Sequence, residues 1–391
     1  MKICDLTQFY SPLSGGVKRY VHEKIAFIQS ARPGDEHVLI IPGAKTETIE
    51  SERSRIYAIH SPLLSRTSRY RILLNLRAIE EVLERERPDI IEAGDPYQTA
   101  WKAIASGEAL GIPVVGFYHS HFPEAYLRST AKFMGRTATE AVMDLARRYV
   151  RSLYNCFGAT LVPSTHLAEV LREWGVKNAQ SVELGVNTDV FHPEVDDAAA
   201  TRAALEIPAN RCLLLYVGRL APEKNTFTLF RAFSLLQQRR PQAFHLLVVG
   251  DGAQRDHLSE LRHSAGNVTW LPYCTDSEEL ARYYRAADLF VHPGMQETFG
   301  FVALESQACG TAVVGISGSY MDRIIFHDQR TWAQQNTLEA LAEAIERMSA
   351  LDLKALGAEA ARSATERNAW PQVFSRLFSI YREVCASYRR A

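Results

Sequence analysis

This sequence of 391 residues has few cysteines and no long apolar run. Its six cysteines are scattered and none forms a C-x-x-C pair, which argues against a cysteine-based zinc site. The pattern predicts reduced, mostly buried thiols in a cytoplasmic protein. No apolar run approaches the roughly 18–20 residues of a membrane span. The opening "MKICDLTQFYSPLSGG" lacks the apolar core and cleavage site of a signal peptide, so we expect no secretion signal.

Neither sign of charge dominates the sequence. The 44 basic and 45 acidic residues leave a net charge of −1, which gives no global attraction to polyanions and predicts no nucleic-acid partner. The composition, 47% hydrophobic and 23% charged, is ordinary for a globular protein. The chain is long for one hydrophobic core and therefore predicts two domains.

Short apolar segments alternate with helix-like segments along both halves of the chain. The first series includes "KICDLT", "HVLIIPG", "RIYAIHS", "DIIEAGD" and "PVVGFYHS", and the second includes "CLLLYVG", "HLLVVGDG", "DLFVHPG" and "TAVVGIS". Near-continuous apolar strands between helices predict an α/β fold with parallel sheets covered on both faces. The polar segment around His192 separates the two series, so we predict two doubly wound domains facing a central cleft.

One segment of the second half carries two glutamates. In "GMQETFGFVALESQACGTAVVG", Glu297 is predicted to lie in a loop at the carboxyl edge of the sheet, and Glu305 in the following helix, which Gly310 closes. This spacing suits the two ends of an elongated ligand, and the start of the helix attracts anions. The alternative is two surface glutamates on an ordinary strand–helix unit.

Three other segments carry polar groups at predicted strand ends. In "YVGRLAPEKN", Arg219 and Lys224 follow a buried strand, where two cations can bracket a diphosphate. In "SPLSGGVKRYV", Gly15 and Gly16 open a helix after the first strand. In "GFYHSHFPEAY", His119 and His121 follow the fifth strand. Each segment alone is also compatible with a solvated loop or a structural side chain.

In this order, the motifs resemble glycosyltransferase family four, whose members are retaining, nucleotide-sugar-dependent enzymes with the two-domain GT-B fold. The resemblance covers nearly the whole chain. It rests chiefly on "YVGRLAPEKN" and on the Glu-x7-Glu motif in "ETFGFVALE", and it extends to "SGGVKRYV", "YHSHFPEAY" and "VELGVNTDVFHP". It implies two Rossmann-like domains: residues 1–193 bind the acceptor, residues 194–371 bind the nucleotide sugar, and residues 372–391 form a helix crossing back to the first domain.

The resemblance also implies a role for each matched residue. Arg219 and Lys224 bind the donor diphosphate, His119 lies by the donor sugar, and Glu297 contacts that sugar. Glu305 binds the ribose hydroxyls. The other implied donor-binding residues lie near the diphosphate, the nucleobase or the sugar: Gly15, Gly16, Pro272, Tyr273, Thr298, Phe299, Gly300 and Phe301.

The chain departs from the family pattern after the glutamate motif. Many relatives carry a Gly-Gly-x-x-Glu turn there, whereas this chain reads "GISGSYMDRIIFHDQR", with Asp322 near the usual glutamate. Residues 316–336 therefore supply none of the assigned contacts. The chain also has no Asp-x-Asp of the kind that holds a metal in the other main transferase fold. We expect metal-independent chemistry with no cofactor, since the nucleotide sugar is a substrate.

The function that the resemblance implies is transfer of a hexosyl group, with retention, from a UDP- or GDP-sugar to a lipid-linked or polysaccharide-precursor acceptor. Three alternatives stay open: a sucrose- or trehalose-type enzyme with a soluble acceptor, a nucleotide-sugar epimerase on the same fold, and a non-catalytic nucleotide-binding protein. The sequence leaves the oligomeric state open.

Two basic stretches in the first half suggest where an acceptor surface lies. One contains Arg66, Arg69, Arg71 and Arg77 with interleaved Tyr70, Leu73 and Leu74. The other contains Arg128, Lys132, Arg136, Arg147, Arg148 and Arg151 with interleaved Tyr126, Phe133 and Met134. A basic, partly apolar face predicts reversible contact of a cytoplasmic protein with an anionic membrane. The alternative is a solvated helix face.

Overall fold

The chain divides into two compact units. The computed structural model describes residues 1–11, 16–64, 69–119, 123, 135–194, 197–295, 299–319, 321 and 324–390, with only the backbone of residue 136. Unit 1 contains Met1–Leu184 together with Trp370–Ala391, and unit 2 contains Gly185–Ala369. What each unit binds stays a prediction.

Unit 1 is built on a mainly parallel sheet. Up to residue 184 its described elements are β1 (Lys2–Leu6), α1 (Gly16–Ala31), β2 (Glu36–Gly43), β3 (Glu47–Ser51), β4 (Ser54–His60), α2 (Leu76–Glu86), β5 (Ile90–Ala93), α3 (Gln98–Leu110), β6 (Val114–Phe117), α4 (Arg136–Tyr154), β7 (Thr160–Val162), α5 (Thr165–Glu173) and β8 (Ala179–Ser181). The strands lie in the order β3-β4-β2-β1-β5-β6-β7-β8. Only the pairing of β3 with β4 is antiparallel among them.

Unit 2 contains an entirely parallel sheet. Its described elements are α6 (Ala198–Ala204), β9 (Cys212–Val217), α7 (Thr226–Arg239), β10 (Phe244–Val249), α8 (Arg255–Ala265), β11 (Val268–Leu271), α9 (Ser277–Ala286), β12 (Leu289–Val291), α10 (Phe301–Ala308), β13 (Ala312–Val314), α11 (Leu338–Ser349) and α12 (Leu353–Asn368), with a 3₁₀ turn at Pro222–Lys224. The strand order is β11-β10-β9-β12-β13. The prediction of two doubly wound α/β domains is confirmed.

The final helix, α13 (Trp370–Tyr388), belongs to unit 1. Apolar and aromatic residues spaced three to four apart give it one buried face. Phe374 and Phe378 of that face pack on Phe27 of α1, with ring centroids 5.5 and 5.7 Å apart. Unit 1 therefore forms from both ends of the chain.

Strand β3 was not predicted from the sequence. Its sequence, "ETIES", is mostly polar and exposed, and it lies at the edge of the sheet, where it pairs only with β4. An edge strand with both faces in water lacks the apolar pattern by which strands are recognised. The expectation of mostly buried thiols was also wrong, because only Cys4 and Cys309 are fully buried.

None of the described helices is both long enough and apolar enough to cross a membrane.

The parallel sheets explain where the polar motifs lie. Because all strands of such a sheet point the same way, the loops after them gather along one edge. In unit 2 the loops after β9, β10, β11 and β12 share that edge.

Two glycines let α12 lie against the turn that ends α10. A Cβ atom added at Gly357 of α12 would lie 1.8 Å from the carbonyl oxygen of Gly310. Gly310 closes α10 with a φ of 81°, as the sequence predicted. The distance is far below van der Waals contact, so the helix cannot accept a larger residue without moving.

We predict that Gly357→Ala lowers the melting temperature of the protein by about 2–10 °C, since overpacking a core costs about 1–3 kcal/mol. Gly34→Ala is the matched control, because a Cβ atom there meets no atom within 4 Å. Differential scanning calorimetry of both variants checks the prediction. Equal melting temperatures for the two would contradict the close packing.

Candidate functional site

The loops after β9 and β10 interlock at the carboxyl edge of unit 2. The sheet hydrogen bonds continue past the strands: the amide of Gly218 donates to Val249 (3.0 Å), and that of Leu220 donates to Asp251 (3.0 Å). Gly250 has a φ of 145°, and a Cβ atom there would lie 2.0 Å from the carbonyl oxygen of Gly218. Glycine is therefore required for the two loops to lie in contact.

Arg219 lies in the first of these loops with its side chain in water. The hydroxyl of Tyr216 donates to the carbonyl oxygen of Arg219 (2.9 Å), which fixes the backbone. The guanidinium pairs with Glu223 at 3.4 Å, and both side chains are more than half exposed. Because an exposed ion pair is worth at most about 1 kcal/mol, a bound anion can compete for this guanidinium. Lys224 ends the 3₁₀ turn that follows and is half-buried.

Asn225, which is not among the predicted site residues, holds this basic loop in place. Its backbone is left-handed, with a φ of 56°. Its side-chain amide donates to the carbonyl oxygen of Pro293 (2.9 Å) and to Asn336 (2.8 Å), and its own oxygen accepts from Thr228 (2.7 Å). Pro293 lies in the loop after β12, which leads to the glutamate motif. The available signal was an asparagine at a loop-to-helix junction, since asparagine tolerates this conformation.

The glutamate motif leads into α10. Gly300 precedes the helix with a φ of 83°, and a Cβ atom there would lie 2.6 Å from the Sδ and Cε atoms of Met321. Phe299 is buried, and its ring lies 5.0 Å from that of Phe301, the first residue of the helix. The predicted helix start at the sheet edge is therefore present. Glu297 and Thr298 lie outside the described residues, as do Gly15 and His121.

Glu305 lies in the second turn of α10 and is buried, with 2% of its surface exposed. The hydroxyl of Tyr284 in α9 donates to its Oε2 atom at 3.0 Å. This carboxylate is therefore oriented by a neighbouring helix. Tyr284 is not among the predicted site residues, because "ARYYRAAD" resembles any amphipathic helix.

Pro272 and Tyr273 follow β11 at the same edge and are exposed, Tyr273 by 64%. The indole of Trp270 donates to the carbonyl oxygen of Gly250 (2.8 Å), which ties this strand to the interlocked loops. The edge of unit 2 thus presents, in strand order, an exposed tyrosine, two cations and the start of a helix.

In unit 1, His119 lies two residues past β6 and Gly16 is the first residue of α1. The imidazole stacks on Phe117, with centroids 4.0 Å apart and planes 6° apart. Burial lowers the pKa of His119 to about 3, and the charge of Lys24 acts in the same direction. The ring is therefore neutral near pH 7 and cannot serve as a proton donor from the imidazolium form.

The two basic stretches differ in structure. Arg71 donates to the carbonyl oxygen of Ser61 (2.6 Å), Arg77 pairs with Glu81 (3.1 Å), and Leu73 is part of the core. In the second stretch, Arg147, Arg148 and Arg151 line a groove on the surface of α4 and α5, together with Asp144, Glu173 and Trp174. Seven other predicted members lie outside the described residues or have no described side chain: Arg66, Tyr126, Arg128, Lys132, Phe133, Met134 and Arg136.

The chain matches two family models, "Glycosyltransferase Family 4" over residues 14–190 and "Glycosyl transferases group 1" over residues 197–367. It is 30% identical over 348 residues to the GDP-mannose-dependent alpha-(1-6)-phosphatidylinositol dimannoside mannosyltransferase of Mycobacterium tuberculosis, covering 88% of this chain and 87% of that protein. The chain belongs to glycosyltransferase family four. It is a glycosyltransferase, as the sequence motifs predicted.

Other relatives agree with this assignment. The D-inositol 3-phosphate glycosyltransferase of Thermobispora bispora is 32% identical over 321 residues, covering 75% of this chain and 69% of that one. Among solved structures, sucrose-phosphate synthase from Thermosynechococcus elongatus matches with a TM-score of 0.76 at 23% identity, over 99% of both chains. Anabaena HepE in complex with UDP and glucose matches with a TM-score of 0.73 at 16% identity, over 98% of this chain and 100% of that one. These structures show that the fold is GT-B.

We predict that Asn225→Gly lowers the stability of unit 2 by about 2–3 kcal/mol, because it removes three hydrogen bonds worth about 1 kcal/mol each. Glycine keeps the left-handed backbone, so strain does not contribute. Thr228→Ala, which removes one of the three bonds, is expected to cost about 1 kcal/mol. Urea titration followed by tryptophan fluorescence measures both, and an Asn225→Gly loss no larger than that of Thr228→Ala would show that Asn225 does not hold the loop.

Proposed function

We propose that this protein is a retaining, metal-independent α-hexosyltransferase that uses a nucleoside diphosphate sugar and a lipid-linked or polysaccharide-precursor acceptor. The observation that carries the proposal is the basic loop of unit 2. It places an exposed guanidinium and Lys224 at the sheet edge that also holds the start of α10. In a parallel sheet, ligands bind at this edge, and a cationic loop beside a helix start suits a diphosphate.

Charge accounts for the roles of these residues. Breaking the sugar–phosphate bond puts negative charge on the departing diphosphate, which Arg219 and Lys224 stabilise. We also propose that the backbone amides of Gly15 and Gly16 contact the diphosphate. Since His119 is neutral, it orients the donor sugar by hydrogen bonding.

The remaining donor contacts follow from the motif positions. Glu305 accepts from the ribose hydroxyls while Tyr284 orients its carboxylate. Pro272 and Tyr273 meet the nucleobase. Glu297 contacts the sugar, with Thr298, Phe299, Gly300 and Phe301 beside it.

GDP-mannose is the donor that we favour. The mycobacterial relative and an alpha-mannosyltransferase of Corynebacterium glutamicum are both GDP-mannose-dependent by name. The acceptor that we favour is lipid-linked and phosphate-bearing, because the names of the mycobacterial and Thermobispora relatives contain phosphatidylinositol and inositol 3-phosphate.

Such an acceptor lies at a membrane surface, so we propose that the protein is cytoplasmic and binds the membrane reversibly through unit 1. The groove on α4 and α5 supports this proposal. Arg148 is 70% exposed, and the guanidinium of Arg147 lies 5.7 Å from the ring centroid of Trp174. Leu145, on the same helix, is 69% exposed. Exposed arginines beside an exposed leucine and a tryptophan are typical of membrane-surface contacts.

The donor proposal predicts that GDP-mannose stabilises the protein more than UDP- or ADP-sugars in a thermal-shift panel, since a ligand that binds the folded state raises its melting temperature. Arg219→Ala and Lys224→Ala should each lower kcat at least about 100-fold, the scale expected for removal of one charge stabiliser. Arg231→Ala, an exposed arginine of α7, is the control. Stabilisation by no nucleotide sugar, or near-native turnover in both variants, would overturn the proposal.

A turnover assay with and without candidate acceptors separates the alternatives. Release of nucleoside diphosphate with sucrose- or trehalose-type acceptors but not with lipid-linked ones would indicate a soluble-acceptor enzyme. Release of nucleoside diphosphate without any acceptor, together with a rearranged sugar, would indicate an epimerase.

The membrane proposal predicts salt-sensitive binding to anionic vesicles. Each basic residue near an anionic surface is worth about 1 kcal/mol, so Arg148→Gln combined with Arg151→Gln should weaken binding at least about tenfold at low salt. Arg255→Gln combined with Arg262→Gln, two exposed arginines of α8 in unit 2, is the matched control. Co-sedimentation with phosphatidylserine and phosphatidylcholine vesicles provides the measurement. Equal binding to both lipids would argue against an electrostatic contact.

A further inference from the structure

A buried cluster of charged residues lies at the centre of unit 1. The ammonium of Lys24 in α1 has no exposed surface, and it pairs with Asp5 of β1 at 2.8 Å and with Glu92 of β5 at 3.2 Å. His37 of β2 contacts the other oxygen of Asp5 at 2.7 Å. An unpaired buried charge is strongly destabilising, so each member of this cluster depends on the others for its place.

Two tyrosine hydroxyls form hydrogen bonds with members of this cluster. The ammonium of Lys24 donates to the hydroxyl of Tyr381 in α13 at 3.0 Å, and that hydroxyl donates to Glu92. The hydroxyl of Tyr20 donates to the same carboxylate at 3.1 Å. The ring of Tyr20 also lies 4.4 Å from the Lys24 ammonium. Tyr20 is therefore anchored both by its hydroxyl and by its ring face.

The ring of Tyr20 also contacts the imidazole of His119. Its ring meets the imidazole edge-on at 5.2 Å, and Phe117 covers the face of the imidazole. Among the described residues, none forms a hydrogen bond with the imidazole. Within the described part of the chain, two ring contacts thus hold His119, and the contact with Tyr20 depends on the buried cluster.

We propose that Tyr20 is a positioning residue for His119, and that the cluster of Lys24, Glu92 and Tyr381 locks it in place, so that the last helix helps to orient His119. This inference rests on the proposed function, in which the neutral imidazole hydrogen-bonds the donor sugar. In a neutral imidazole one nitrogen donates and the other accepts. The ring must therefore keep one orientation to form the same hydrogen bond with a bound sugar.

The low pKa of His119 agrees with this arrangement. Burial is its main cause, and removal of the Tyr20 ring would admit water to the imidazole. The charged and titratable groups nearby come from five elements: Lys24 and Tyr20 of α1, Asp5 of β1, His37 of β2, Glu92 of β5 and Tyr381 of α13. Of these, Lys24 lowers the pKa of His119 and Asp5 raises it.

The test is a nuclear magnetic resonance titration of the full chain labelled at its histidine rings, without substrate. His119→Gln assigns the His119 signal by its loss. In the native protein we expect no titration of this signal between pH 5 and 9. In Tyr20→Leu, the titration midpoint of the His119 signal should rise above pH 5, and the ring-current shift of that signal should change. The same variant should lower kcat at least about tenfold and lose further activity below about pH 6. Tyr20→Phe keeps the ring and its contact with the Lys24 ammonium but removes the hydroxyl anchor, so it should shift the His119 signal less than Tyr20→Leu does and lower kcat about threefold.

Tyr388→Leu, a change at an exposed tyrosine of α13, is the matched control and should alter none of these readouts. Glu92→Gln is the second variant, because it keeps the buried volume while weakening the anchor of Tyr20. It should shift the His119 signal and lower kcat about threefold even if Tyr20→Leu does not fold. An unchanged His119 signal in both variants would overturn the inference. A shifted signal together with native kcat in His119→Gln would instead refute the role of His119 in the proposed function.

Discussion

Unit 1 depends on a single buried ammonium. Lys24 pairs with carboxylates from two adjacent strands and with a tyrosine that lies 357 residues further along the chain. Desolvating one ion costs several kcal/mol, so the ammonium is tolerated only where every partner is present. This constraint makes the last helix part of the first unit. The same constraint fixes Tyr20, and through it one wall around His119.

The carboxylates of this cluster respond differently to burial. Burial opposes ionisation of Asp5, but its interactions with Lys24 and His37 outweigh burial and lower the pKa of Asp5 well below the usual range. Burial raises the pKa of Glu92 to about 7, with Lys24 only partly compensating. Glu92, which also accepts from Tyr20 and Tyr381, is therefore the carboxylate of the cluster that is more readily protonated near neutral pH. Asp5 and Lys24 therefore form a firm ion pair, whereas Glu92 is held mainly by hydrogen bonds.

Unit 2 depends instead on close backbone contact. The interlocked loops at Gly218 and Gly250 leave no room for side chains, so the loop that carries Arg219 is held by main-chain hydrogen bonds. Asn225 then ties this loop to the segment after β12. The cationic side chains remain at the surface while their backbone is fixed, which is the arrangement that preorganised charge stabilisation requires.

Sequence alone determined the two-domain α/β architecture, the family and the position of the basic loop and the glutamate motif along the chain. Apolar strands, turn glycines and motif spacing are local features, and local sequence carries them. Strand β3 escaped detection because an exposed edge strand has no apolar pattern. The tertiary structure alone revealed Asn225, Tyr284 and the Lys24 cluster, since their partners lie up to 357 residues away and have ordinary sequence neighbours. It alone also showed that Glu305 is buried and that the surroundings of His119 lower its pKa, because burial and electrostatic surroundings arise only once distant segments pack together.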